Sequence, residues 1–315
     1  MGVAHEGSSK DWLCRDGVGA SQVMCPNGHW LTVYEFLCSH FQRISPQEWR
    51  NRFASHSVLC SGGTALAIDA PFQAKQAVYY FRTVHAEPVL PYFETVIYQD
   101  DSLVVADKPH FLPVIPSGQY VQETLLVRLK RALKLPDLVP LHRIDRDTAG
   151  LVMFSVQPAQ RAAYHALFRE GRITKTYHAI APCVDDWTHS ALPLSLRNRL
   201  ETADNFMQMR VVAGQPNTHT HILSMERLPS TPALALYTLQ PHSGKRHQLR
   251  VHMHSLGAPI VGDCIYPEFL PERDISVLGH APLQLLAHSL AFIDPILGEQ
   301  RRFQSQRKLS LCSGL

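Results

Sequence analysis

LHRIDRDTAGLVMFS, residues 141–155, joins a polar loop to an apolar run of strand length. The run that begins at Leu151 is typical of a buried strand, and such a strand anchors the loop that precedes it. Asp145 and Asp147 lie two residues apart in that loop, so they point the same way in extended backbone and diverge in a helix. A loop of this kind can hold a carboxylate at a fixed point above a sheet. An isolated loop aspartate more often makes only turn hydrogen bonds, so the spacing alone assigns no chemistry.

The composition of the whole chain excludes several classes of protein. It has 315 residues, 45% of them hydrophobic and 18% charged, which allows about two folded domains and excludes a disordered chain. The net charge of +3 is compatible with an anionic partner without indicating one. Seven cysteines form no C-x-x-C pair, and the longest apolar runs are far shorter than the ~20 residues of a membrane helix. We therefore expect a cytoplasmic protein with no membrane partner.

The first part of the chain has the pattern of two helices and a hairpin. Apolar residues recur at helical spacing after Leu31, and Ser45 with Glu48 three residues later is a capping box that begins a second helix. Two short apolar runs then flank a pair of glycines, which predicts a hairpin over residues 57–69. We therefore predict a small N-terminal α/β-hairpin domain over residues 1–87.

From residue 93 onward the chain mixes strand and helix patterns. Strands are predicted at residues 103–106, 151–156, 176–181, 218–225 and 233–239, and helices at residues 158–169 and 246–256. The strands mostly follow one another without a helix between them. This order favours an α+β fold with a mixed, largely antiparallel central sheet and flanking helices. Two prolines without a clear period mark a linker at residues 88–92, so the larger domain is predicted over residues 93–315.

The stretch 141–155 resembles the H-R-L-D-x-x-T-S-G signature of the RluA-type pseudouridine synthases, with Ile144 for leucine and Ala149 for serine. Four further blocks resemble that family in the same order. They are VIYQDDSLVVADKPHFLPV (96–114), KTY (175–177), HSGKRHQLRVHMHSLGAPIVGDCIY (242–266) and LLAHSLAFIDPILGE (285–299). Two positions depart from the pattern, since Phe111 stands where a glycine is usual and Lys245 replaces an arginine. Five blocks in one order exclude coincidence.

The resemblance implies an isomerase, an RNA pseudouridine synthase, with the pseudouridine synthase fold over residues 93–315. Such an enzyme detaches uracil from its ribose, turns it and rejoins it through a carbon. The matched positions imply that Asp145 is the catalytic carboxylate, Arg250 the guanidinium that pairs with it and Tyr177 the aromatic that packs on the uracil. Cleaving a glycosidic bond needs an anionic oxygen near the sugar or the base, and a guanidinium keeps that oxygen ionised and fixed. Whether Asp145 attacks the sugar or removes a proton from it stays open.

The same resemblance implies a set of residues that bind the RNA or support the loop around the flipped base. They are Arg143, His142, Thr148, Lys175, His247 and Gln248. Arg143 matches a residue that enters the vacated stack or contacts phosphate, whereas His142 is expected to support the loop. The chemistry uses only a carboxylate and the substrate, so we expect no cofactor and no metal. The expected partner is RNA, with ribosomal RNA favoured over transfer RNA, and the expected state is a monomer.

The N-terminal part has a second, weaker resemblance. Residues 44–49, Val58 and the glycine pair resemble the small RNA-binding domain of a ribosomal small-subunit protein, which many synthases of this family carry. Residues 1–87 hold seven basic and seven acidic residues, so the domain lacks the basic surface expected of it. Three arginines still offer a local patch for phosphate, namely Arg43, Arg50 and Arg52.

Three other functions compete with this interpretation. A metal-dependent hydrolase could use His247, His252, His254 and Asp145 as ligands. The spacing disfavours it, because two histidines two residues apart diverge on a helix and no H-E-x-x-H motif occurs. A non-catalytic RNA-binding protein with a synthase fold, and a nucleoside hydrolase that uses the same carboxylate, remain as alternatives. The non-catalytic RNA-binding protein would modify no RNA, and the nucleoside hydrolase would release free uracil.

Overall fold

The computed structural model describes residues 11–82, 84, 86–184, 192–270 and 281–312. Its strands are β1 Cys14–Arg15, β2 Val18–Gly19, β3 Ser21–Met24, β4 Val58–Cys60, β5 Ala77–Tyr80, β6 Thr95–Gln99, β7 Leu103–Lys108, β8 Val139–Pro140, β9 Ala149–Ser155, β10 Ile173–Pro182, β11 Leu194–Thr202, β12 Met209–Val212, β13 Thr218–Leu228, β14 Thr231–Pro241, β15 Leu285–Ile293 and β16 Gln300–Gln304. Its α-helices are α1 Val33–His40, α2 Pro46–Ala54, α3 Leu125–Leu133, α4 Arg161–Arg169 and α5 Gln248–Ser255. Short 3-10 helices cover Asp11–Leu13, Pro158–Gln160 and Ser310–Cys312. The strands and helices predicted between residues 103 and 256 all occur, with ends that differ by a few residues.

The chain divides into two compact units. The first combines the chain up to Val89 with residues 115–136, and the second combines Leu90–Val114 with Asp137–Leu315. The segment 115–136, which includes α3, therefore belongs to the first unit, although the sequence places it in the larger domain. An independent N-terminal domain over residues 1–87 stays a prediction. Within the described ranges, no helix has the length and apolar character needed to cross a bilayer.

Helix α2 of the first unit begins where its capping residue predicts. The Ser45 hydroxyl accepts the backbone N–H of Glu48 at 3.1 Å, which confirms the predicted start of α2. Phe36 from α1 and Trp49 from α2 are fully buried in one apolar cluster. The burial of these aromatic side chains holds the short helices together, since helices of this length are marginal alone.

The predicted hairpin is only half correct. β4 forms as expected, but residues 64–69 form no strand and contribute a single bridge between Leu59 and Ala65. β4 pairs instead with β5, in a three-stranded sheet of order β3-β5-β4. β5 buries alternate side chains, Val78 and Tyr80, in the core, whereas residues 67–69 are exposed and gain nothing from a sheet position.

The arginine patch proposed for the first unit loses one member. Arg52 is 4% exposed, pairs with Glu48 and lies with its guanidinium 4.7 Å from the centroid of the Trp49 ring. Its charge therefore stabilises α2 and is not available at the surface to bind phosphate. Arg43 and Arg50 remain exposed.

The second unit is built on a sheet of eleven strands among the described residues. Its main path runs β12-β11-β13-β14-β10-β15-β9-β7-β6, with β16 beside β15 and β8 beside β9. The pairing of β9 with β15 is parallel and the other pairings are antiparallel. This confirms the predicted α+β fold with a mixed, largely antiparallel sheet. β9, the apolar run after the polar loop, is buried along its whole length.

The loop ends in T-A-G because the position of Gly150 requires a glycine. Its φ of +109° is unfavourable for side chains, and a Cβ there would overlap the carbonyl of Ala287 on β15. Glycine therefore allows β9 to lie directly against β15, with Gly150 opposite Ala287. This contact sets the position of the loop before β9.

Candidate active site

The loop that precedes β9 is held by two side chains from the end of β7 and the turn after it. Lys108 is fully buried and its Nζ donates to the carbonyl of Arg146 at 2.9 Å. The Nδ1 atom of His110 lies 2.7 Å from the carbonyl oxygen of Asp147. Burial lowers the pKa of Lys108 to about 7, although the charges of Asp147 and Asp145 oppose this shift. The loop is thus fixed through the backbone of the two residues that directly follow Asp145.

Arg250, from α5, connects two aspartates. Its Nη1 donates to Oδ2 of Asp145 at 3.2 Å, while its Nε and Nη2 donate to the two oxygens of Asp263 at 2.7 and 2.6 Å. The guanidinium is 2% exposed and the Asp145 carboxylate 29% exposed. Burial alone lowers the pKa of Arg250, but the hydrogen bonds and charge of Asp263, followed by Asp145, raise it above its usual value. The guanidinium is therefore always charged, and Asp145 keeps a partner at one edge while its other side is accessible.

Asp263 is the residue that fixes Arg250, and it had no predicted role. Besides the guanidinium, its Oδ1 accepts the backbone N–H groups of Ile265 and Tyr266 at 2.8 and 3.0 Å. Its bidentate contact leaves only one edge of the guanidinium for Asp145. The available signal was its place in the matched block 242–266, thirteen residues after Arg250.

His247 approaches the same carboxylate from the start of α5. The Tyr266 hydroxyl accepts the backbone N–H of Met209 at 2.7 Å and lies 3.1 Å from Nδ1 of His247. Burial lowers the pKa of His247 to about 4, in spite of the opposing charge of Asp145, so the ring is neutral at pH 7. The other ring nitrogen of His247, Nε2, lies 3.9 Å from Oδ2 of Asp145.

Tyr177 lies on β10 and packs against an apolar cluster that includes Leu249 and Met253 of α5. Its burial, and next the charge of Asp145, raise the pKa of its hydroxyl above the usual value. The phenol is therefore neutral, and the field of Asp145 reaches it. Asp145, Tyr177 and the pair His247 and Arg250 are thus brought together from three separate stretches of the sequence.

His142 makes its contacts with residues of the protein interior. Its Nε2 accepts the backbone N–H of Met153 on β9 at 3.1 Å, and its ring stacks on Phe168 with centroids 4.7 Å apart. Burial, and then the charge of Lys175, lower the pKa of His142 to about 3. A neutral ring with an occupied nitrogen supports the loop and is poorly suited to proton transfer at pH 7.

The remaining predicted residues divide between the surface and the interior. Arg143 is exposed, and Thr148 is buried with its N–H donating to the carbonyl of Asp145 at 3.2 Å. Lys175 donates to the carbonyl of Ser243 at 3.1 Å, and burial lowers its pKa to about 8.

Gln248 is 4% exposed and satisfies its amide within the protein. Its Nε2 donates to the carbonyl of His219 at 3.1 Å and to Thr220 Oγ1 at 2.8 Å. Its Oε1 accepts Ser243 Oγ–H at 2.8 Å and the backbone N–H of Lys245 at 3.1 Å. These contacts hold the loop between β14 and α5.

The ligand set of the hydrolase alternative is not assembled in the part of the chain that the structure describes. His252 is buried and its two ring nitrogens lie 3.0 and 3.2 Å from the hydroxyls of Thr220 and Thr218. The described residues that come close enough to share a metal ion do not include Asp145, His247, His252 or His254.

Comparisons with known proteins identify the family of this chain and agree with its fold. The family described as RNA pseudouridylate synthase matches residues 102–255. The dual-specificity RNA pseudouridine synthase RluA of Haemophilus influenzae is 30% identical over 236 residues, covering 70% of this chain and 95% of that protein. The tRNA pseudouridine synthase C of Vibrio cholerae is 32% identical over 211 residues, covering 64% and 85%.

A solved structure supports the fold. Human RNA pseudouridylate synthase domain containing 1 superimposes with a TM-score of 0.55 at 21% identity, covering 70% of this chain and 86% of that one. The sequence matches define an RNA pseudouridine synthase, which is an isomerase. Within that class, the chain belongs to the RluA-type family.

Proposed function

We propose that Asp145 is the catalytic carboxylate that converts uridine to pseudouridine in structured RNA. The observation that carries this proposal is the contact between Arg250 Nη1 and Asp145 Oδ2 at 3.2 Å, behind which Asp263 holds the guanidinium at 2.6 and 2.7 Å. The buried guanidinium donates to one oxygen of Asp145 and so fixes the direction of the carboxylate. A fixed anionic oxygen with one accessible side suits attack on the sugar or removal of its proton.

Two other side chains have roles at the target nucleotide in this proposal. Tyr177 stacks on the flipped uracil in this proposal, because the charge of Asp145 acts on its hydroxyl and its neutral phenol has a flat apolar face. Arg143, exposed on the loop two residues before Asp145, contacts phosphate or fills the space that the flipped base leaves. His142, Thr148, Lys175 and Gln248 shape the loops around the site.

The proposed substrate is ribosomal RNA, with transfer RNA as the alternative. The N-terminal resemblance to a ribosomal RNA-binding domain supports the first, and Arg43 and Arg50 are its exposed phosphate-binding candidates. The relative named a tRNA pseudouridine synthase supports the second. Mapping pseudouridine in total RNA from cells with and without this protein distinguishes the two and identifies the uridine.

The decisive experiment compares Asp145→Asn with Asp147→Asn. Both variants remove one carboxylate from the same loop with little change of shape, and Asp147 pairs only with neighbouring Arg146 among its described side-chain contacts. We expect Asp145→Asn to bind RNA and form no pseudouridine, and Asp147→Asn to remain active. The wild-type reaction is expected to persist in chelator, since the proposed chemistry needs no metal.

Other outcomes identify the alternatives. Wild-type protein that binds RNA but modifies no cellular RNA would favour the non-catalytic binding protein. Release of free uracil would favour a hydrolase. Full activity of Asp145→Asn would overturn the assignment of the carboxylate.

A further inference from the structure

Three histidines meet on one face of the large sheet, remote in sequence from the matched catalytic aspartate. His219 and His221 are two residues apart on β13 and so point to the same face. His242 directly follows β14, and its N–H donates to the carbonyl of His219 at 2.9 Å, which places it beside His219. The three rings touch in pairs, with centroids 4.5 to 4.7 Å apart.

The ring nitrogens are spaced like the ligands of one metal ion. Nε2 of His219 lies 2.9 Å from Nε2 of His221, and Nδ1 of His221 lies 3.4 Å from Nε2 of His242. One nitrogen from each ring can be chosen so that all three lie within 4.8 Å of one another. Zinc–nitrogen bonds of ~2.0–2.1 Å in a tetrahedron separate two ligand atoms by about 3.3 Å. Rotation of a side chain would bring the three nitrogens to this spacing.

We propose that His219, His221 and His242 bind a divalent transition metal of the kind that prefers imidazole, with Zn²⁺ as the representative ion. Imidazole nitrogen is a favoured ligand for zinc, copper and nickel, and three histidines with an open fourth position are an established zinc coordination set. The hydroxyl of Ser195 lies 3.0 Å from Nε2 of His219, so it or a water completes the coordination.

The charges around the cluster limit the affinity. Arg197, opposite His219 on β11, repels a cation, so binding is weaker than at a site that contains a carboxylate.

The cluster lies on the sheet face away from α5. Thr218 and Thr220 alternate with the histidines along β13, and both contact His252 of α5. A metal at the cluster therefore takes no part in the proposed chemistry, which uses Arg250 of α5. Its role is to join β13 to the first residue of the loop 242–247, the loop that ends at His247 beside Asp145. The inference is independent of the proposed function.

The site is tested by isothermal titration calorimetry, in which ZnCl₂ is added to the chelator-treated full chain. The wild-type chain is expected to bind one equivalent of Zn²⁺. His242→Ala, a change at an exposed residue after the strand, is expected to weaken binding by more than about 100-fold, since loss of an outer partner alone costs about 10–100-fold. His165→Ala, which removes an exposed histidine of α4, is the matched control and should bind as the wild type does.

The absorption spectrum of bound Co²⁺ supplies a second measurement. This spectrum would not depend on the histidines if they had only a structural role. The wild-type chain with Co²⁺ should show the visible d–d absorption of tetrahedral nitrogen coordination, and His221→Ala should not. Circular dichroism confirms that each variant is folded. Absence of saturable Zn²⁺ binding by the wild type, or equal affinity in the wild type and His242→Ala, would overturn the proposal.

Discussion

Asp263→Asn tests whether Asp263 keeps Arg250 in position for Asp145. The retained Oδ1 can still accept Arg250 Nη2 and the two backbone N–H groups, but the new amide would face Arg250 Nε, so that two donors meet. One charge-assisted hydrogen bond, worth about 1.5–3 kcal/mol, is lost. Removing one partner of a buried ion pair costs about 3–5 kcal/mol, and Asp145 still compensates part of the charge. We therefore expect the free energy of unfolding to fall by about 3 kcal/mol.

The assay is urea denaturation followed by far-UV circular dichroism, together with the rate of pseudouridine formation. The matched control is Asp137→Asn, because Asp137 is 72% exposed and lies 3.9 Å from Arg161. Its stability is expected to change by less than about 0.5 kcal/mol. In Asp263→Asn, the reaction rate with bound RNA should fall by about tenfold or more, which equals about 1.4 kcal/mol of transition-state stabilisation.

An unchanged stability and rate in Asp263→Asn would refute this reasoning, because it would mean that Arg250 holds its position without the bidentate partner. A loss of stability with an unchanged rate would refute only the link from Asp263 to Asp145. The same loss in Asp137→Asn would show that the assay responds to any lost carboxylate.

Three further predictions follow from other contacts. Tyr177→Ala should slow the reaction about 5- to 150-fold, because the stacking of one base on an aromatic ring contributes about 1–3 kcal/mol. Tyr177→Phe should slow the reaction less. Equal losses of rate in the two variants would assign the contribution to the hydroxyl. Lys108 has a pKa of about 7 when folded, so between about pH 7 and pH 10 the unfolded chain binds the additional proton. The stability of the wild type relative to Lys108→Met should therefore rise with pH in that window, by up to about 1.4 kcal/mol per unit, and a falling difference in urea denaturation would contradict it. RNA affinity should fall with rising salt, and Arg143→Ala should reduce the slope by about one counterion if Arg143 contacts phosphate; an identical slope would remove that contact.

The sequence alone determined the features that depend on neighbours along the chain. Ser45 and Glu48 predict the start of α2 because a cap is a contact between residues three apart. The apolar run at 151–155 predicts a fully buried strand. The motif order identifies the family and the carboxylate to test. The hairpin at 57–69 was wrong in its second strand, because a distant segment with buried Val78 and Tyr80 competes better for the edge of β4.

The tertiary structure decided contacts that no motif implied. The family resemblance implied that Arg250 pairs with Asp145, 105 residues earlier, but only the structure places Asp263 on the other edge of that guanidinium. β11, β12 and β16 were not predicted, since their exposed, polar positions gain stability only from strand partners. The histidine cluster joins residues 2 and 21 positions apart through strand register, which no linear motif encodes. Contacts of this kind depend on sheet order, and sheet order is set by the burial of whole faces and not by local sequence.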